Sequence, residues 1–141
     1  MIRKKFSKID YALYDQKAKD KTTQYLQNIG YRVVEHPDRY AQDLIAKSEM
    51  FDNEFMVECE VKVLWKTDSF PFPNVQLPER KSKFLKERTL FFIWNEQLTR
   101  AFTFWSDDVK KLTPVEVPNK RVRKGEYFYQ IPLDMTRMIE G

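Results

Sequence analysis

A chain of 141 residues with 15% aromatic content carries enough apolar bulk for one self-supporting core, which excludes extensive disorder. Three glycines argue against a glycine-rich phosphate loop, one histidine excludes a histidine-rich zinc centre, and a single cysteine, Cys59, excludes an internal disulfide. The net charge of +4 permits a polyanionic partner without demonstrating one, and neither a membrane span nor a signal-peptide core is visible, so a soluble cytoplasmic protein with no membrane partner is expected.

In chain order, the first predicted element is a helix over 11–29. Leu13, Ala18, Thr22, Tyr25, Leu26 and Ile29 recur at spacings of three and four, or close to them, which makes an apolar stripe among lysines and glutamines. Gly30 is placed to end it in a left-handed cap. Tyr31 to Glu35 reads as a short strand stopped by His36-Pro37-Asp38, with His36 a turn residue. A second short strand is expected at 43–46, a turn at 47–54, and the strongest strand at 55–65. Phe70 and Phe72 then fall in a proline-punctuated loop, where they either plug the core or stack on bases.

Residues 78–87 predict a helix with Pro78 near its first position and Phe84 and Leu85 facing inward. The apolar run 89–94 predicts a strand covered on both faces; 101–105 returns as its partner, with Trp94 and Trp105 facing each other. A short helix at 106–112 capped by Ser106 follows, then a β pair of 115–117 with 126–131 around a basic turn holding Arg121, Arg123 and Lys124. A helix between the third and fourth strands implies a crossover. The expected fold is therefore α/β (α+β), a mixed central β-sheet flanked by helices, in one domain over 1–141.

The string from Val57 to Val63 carries the chemistry. Side chains alternate along a strand, so Val57, Cys59, Val61 and Val63 share a core face, while Glu58, Glu60 and Lys62 share the other. Burying an unpaired carboxylate costs several kcal/mol or more, so a lysine or a divalent cation must compensate. Asp43, at the head of the neighbouring strand, would fold back beside Glu60, and two such carboxylates suit a hard cation. The bland alternative is a solvated edge-strand face with ordinary cross-strand ion pairs. Cys59 reads as a small buried hydrophobe.

Asp43, followed seventeen residues later by Glu60-Val61-Lys62 across a hairpin, resembles the PD-(D/E)XK nuclease motif. The element order is also similar to the αβββαβ restriction-endonuclease-like core of that superfamily, over about 11–105, with 106–141 as a C-terminal β extension. The resemblance implies a nuclease, most simply an endonuclease, that hydrolyses phosphodiester bonds with one or two Mg²⁺ or Mn²⁺ ions. It implies Asp43 and Glu60 as metal ligands with the Val61 carbonyl as a third, and Lys62 as the catalytic lysine. Gln42 stands where the family often has proline. Asp20, Glu58 and Gln76 are secondary candidates: Asp20 (with Asp15 behind it) for an acidic residue on the first helix, Glu58 as a supporting carboxylate, Gln76 for a glutamine that several branches place after the lysine.

Arg80, Lys81, Lys83 and Lys86 crowd the second helix, either as a solvated face or as a patch that tracks phosphates beside the site. The expected partner is nucleic acid, DNA before RNA. A domain of this size would recognise structure, such as a junction, a flap or an end, or act as a resolvase-like homodimer. The alternative function is a catalytically inactive nucleic-acid- or protein-binding module with the same fold.

Overall fold

The computed structural model describes residues 8–48, 50–119 and 122–141. A helix, α1 (Lys8–Asn28), is followed by β1 (Tyr31–Glu35), β2 (Leu44–Ser48) and β3 (Glu54–Lys62). The connection to the next strand of the same sheet holds a separate short strand, β4 (Asn74–Pro78), and a 3-10 helix, Glu79–Lys86. Then come β5 (Thr89–Asn95), β6 (Arg100–Trp105), a one-turn helix α2 (Ser106–Val109), β7 (Val115–Asn119), β8 (Val122–Pro132) and β9 (Arg137–Glu140).

Two sheets result. The main sheet is mixed, in the order β1-β2-β3-β5-β6-β9, with β3 and β5 parallel and the other neighbours antiparallel. The second is antiparallel, in the order β4-β8-β7. The expected mixed sheet with helices is present, and its helix–three strands–helix–strand order holds.

The main sheet has a core on each face. On one, Ala18 and Leu26 of α1 pack with Val57, Cys59, Phe92 and Trp94. On the other, Phe91, Ile93 and Phe104 meet Leu77, Ile131 and the crossover helix's Phe84 and Leu85. Trp65, just past β3, is fully buried there and stacks on Phe102, with Phe70 set edge-on. Of the two readings of Phe70, the core plug is the one observed.

Several expectations need correction. Leu13 and Ile29 are 52% and 55% exposed, because Ala18, Thr22, Tyr25 and Leu26 carry the face that α1 turns to the sheet. Gly30 does take the left-handed conformation, with φ of 100°. Trp94 lies opposite Ala101, and Trp105 opposite Leu90, since an antiparallel register that closes at Asn95 and Arg100 sends the two tryptophans to opposite ends. Ser106 does not cap α2. Its hydroxyl accepts from the Thr89 N–H at 2.9 Å and donates to the Glu87 carbonyl at 3.1 Å, stitching the start of β5 to the end of β6. β4 and β9 were not anticipated. The extension therefore does two things: β9 edges the main sheet, and β7 with β8 recruits β4 into a wall beside it.

Candidate active site

The site begins with the alternation on β3. Val57 and Cys59 face α1, while Glu58 and Glu60 point to the opposite face, aligned in the parallel ladder with Phe91 and Ile93 of β5. Lys62 continues the row opposite Asn95. The charges thus occupy positions of the kind that β5 fills with core residues. An edge strand is excluded as their setting, because β3 is paired on both sides.

Asp43 is brought to them by backbone economy. The β2–β3 ladder ends at Leu44 opposite Val57, which puts Asp43 beside Glu58. The Asp43 carboxylate then accepts the Cys59 N–H at 3.0 Å, taking the place of a ladder carbonyl, and the Cys59 thiol at 3.7 Å. Its own carbonyl accepts the His36 N–H. His36 meanwhile accepts the Asp38 N–H at Nδ1, the turn role expected of it. Gln42 is buried and donates to the Thr89 hydroxyl at 3.1 Å, which anchors the approach to Asp43.

The electrostatics are those of crowded carboxyls short of cations. Burial pushes the Glu58 carboxyl up to about 9, and the neighbouring Asp43 adds to the rise, against the pull of Lys81. Glu60 is also raised, again by burial first, with Lys81, Lys62 and Arg80 opposing. The Lys81 ammonium donates to Glu58 Oε1 at 3.3 Å. Burial alone would lower the Lys81 pKa, but Glu58, Glu60 and Asp43 together hold it above its usual value. The second Glu58 oxygen, Oε2, is buried and has no hydrogen-bond partner. Burial also pushes the Cys59 thiol well up, which keeps it a neutral donor to Asp43.

Glu60 and Lys62 open on a cleft of about 310 Å³ that Gln76 and Phe128 line from the second sheet. Gln76 therefore does approach the site, though from β4 rather than a helix. The Lys62 ammonium sits 5.5 Å from the Phe72 ring centroid, in cation–π range. A groove of about 540 Å³ bordered by Arg80 and Tyr127 adjoins the cleft, with Pro78 common to both. A further hollow of about 350 Å³ lies on the α1 face; its charged lining is Asp108, Asp134 and Arg137, and none of the β3 charges reaches it.

Other candidates fall elsewhere. Asp20 is exposed and accepts from Gln16, away from the site. Asp15 lies nearer: it pairs with Lys19, whose pKa, lowered by burial, is raised overall by Asp15 and Asp43. Five residues, about 1.4 helical turns, separate Asp15 from Asp20, so they leave α1 in different directions. Lys83 and Lys86 are exposed, as is Arg80. Arg121 lies outside the described residues, as do the side chains of Arg123 and Lys124. Lys81 is the member of the basic helix that sequence alone did not single out. It is one of four cations on a short helix, and only the fold tells it apart.

Among the described residues, no three His, Cys, Asp or Glu side chains converge as a ready ligand set. The donors do fit a hard cation that takes few protein ligands. They are carboxyl oxygens whose negative charge burial and one another disfavour, and no donor reaches the buried Glu58 Oε2.

No family model matches the sequence, and no curated protein matches it. Among solved structures, the fold is similar to that of a bacterial homing endonuclease, I-Ssp6803I, with a TM-score of 0.52. The match covers 80% of each chain at 17% identity. At that identity the likeness is one of fold: the two share a mixed α+β architecture.

Proposed function

We propose that this chain is a divalent-metal-dependent nuclease of the PD-(D/E)XK type, with DNA as its first-choice substrate. The observation that carries the reading is the row Glu58, Glu60 and Lys62 on a central strand, with Asp43 folded against it and Glu60 and Lys62 lining a cleft. These are positions where stability alone would favour apolar groups. The endonuclease-like fold supports the same reading.

Asp43 and Glu60 would hold a Mg²⁺ or Mn²⁺ ion, with the Val61 carbonyl as a third donor. When bound, such an ion polarises a phosphoryl oxygen and lowers the pKa of an attacking water. Lys62 lines the cleft itself, where its ammonium can donate to a phosphate oxygen and oppose the negative charge that develops there. The Phe72 ring beside that ammonium offers it a cation–π contact. Gln76 and Phe128 form the facing wall against which a backbone would rest.

The test is a panel of supercoiled, linear, single-stranded and branched DNA, and RNA, in Mg²⁺, Mn²⁺ or chelator. Cleavage of at least one substrate is expected with metal, none with chelator, and none by Lys62→Ala. Cleavage that survives chelation would remove the mechanism. Tight binding with no cleavage of any substrate would instead identify a binding module.

A further inference from the structure

We infer that Lys81 is a built-in counter-ion to the carboxyls of the proposed metal site in the free protein, with whose charge a divalent cation must compete when it binds. The inference rests on the metal site proposed above and deepens it, by naming the protein cation that the ion must compete with.

Three observations meet at this point. Lys81 belongs to the crossover helix, yet its ammonium does not join Arg80, Lys83 and Lys86 at the surface; it reaches back to Glu58 at 3.3 Å. Both partners are largely withdrawn from water, with side-chain exposures of 23% for Lys81 and 10% for Glu58. The contact satisfies only one Glu58 oxygen, and Oε2 remains buried and unpartnered. A lysine has three donors on a compact charge and no bidentate geometry, so it is an incomplete substitute for a cation that several oxygens can share.

The groups facing Lys81 are Glu58 and Glu60 from β3 and Asp43 from the head of β2. Two of these, Asp43 and Glu60, are the carboxyls proposed above for the metal ion. A doubly charged ion placed between them repels an ammonium that shares their attraction, so the two compete for the same negative charge. Lys81 is thus a positioning residue. Where the ion prevails, Lys81 becomes a free cation on a helix that already carries Arg80 beside the cleft.

Mn²⁺ binding, measured by titration calorimetry on the full chain, tests this. Lys81→Gln keeps a donor for Glu58 and removes the charge; it should bind Mn²⁺ about ten-fold tighter or more than the wild type. Lys81→Arg keeps the charge and should stay close to wild type, and a gain in Mn²⁺ affinity confined to Lys81→Gln is what a merely structural role would not predict. Thermal melts with and without Mn²⁺ should show a larger metal-induced rise in Lys81→Gln than in the wild type. Unchanged or weaker Mn²⁺ binding by Lys81→Gln, with wild-type binding that Glu60→Gln abolishes, would overturn the inference and leave the metal site standing. No Mn²⁺ binding by either the wild type or Lys81→Gln would overturn both.

Discussion

Two adjacent strands of the main sheet face the same interior and are built to opposite ends. On β5, Phe91 and Ile93 are buried among Leu77, Phe84, Phe104 and Ile131. On β3, the residues paired with them are Glu58 and Glu60. One strand spends these positions on packing. The other places carboxyls in them, raises their pKa values by burial, and leaves an oxygen without a partner. A fold tolerates such a conflict where stability is not what the residues serve.

Substitutions on the two strands should therefore separate activity from stability. Asp43→Asn and Glu60→Gln should each lower metal-dependent cleavage at least about 100-fold while leaving a folded chain. Phe91→Ala, one strand away, should cost about 3–5 kcal/mol in denaturant unfolding, with any loss of cleavage following from unfolding. Comparable stability losses on both strands would erase the contrast.

A smaller effect should appear in pH dependence. In chelator, the folded state holds the Glu58 proton up to about 9, whereas the unfolded chain releases it near the ordinary value of 4.5. Between those limits the folded state binds more protons, so this group makes stability fall as pH rises. Glu58→Gln should flatten the decline in melting temperature across that window. A steeper decline would mean that Glu58 stabilises the fold as an anion.

The smallest effect belongs to the exposed end of the crossover helix. Lys83→Ala with Lys86→Ala should weaken DNA binding roughly equally for all sequences and reduce the slope of log affinity against log salt by about 2. An unchanged slope would return these residues to the role of a solvated helix face.

Much of this contrast is legible in the sequence. The period-two alternation of Val57 to Val63 separates the two faces of β3 by itself, and the bounds of β1 follow from β-prone residues between Gly30 and Pro37. Asp43 could be placed beside Glu60's strand because a hairpin is a local structure. What stayed hidden was non-local. β4 lies among Pro71, Pro73 and Pro78, which read as loop, and its partner β8 comes more than forty residues later. Only the Val75 and Leu77 alternation hinted at it, and both are buried. β9 is four residues long and gains its place through β6. Lys81 looks like its basic neighbours in sequence, and the choice of Asp15 over Asp20 as the residue nearer Asp43 turns on less than one and a half helical turns.

Glu60→Gln brings the central claim to one paired measurement, melting temperature in chelator and cleavage in Mg²⁺ on the same preparation. Removing a charge that burial disfavours should raise the melting temperature of the metal-free protein and abolish cleavage. A lower melting temperature with cleavage intact would show that Glu60 serves the fold, and would contradict the account.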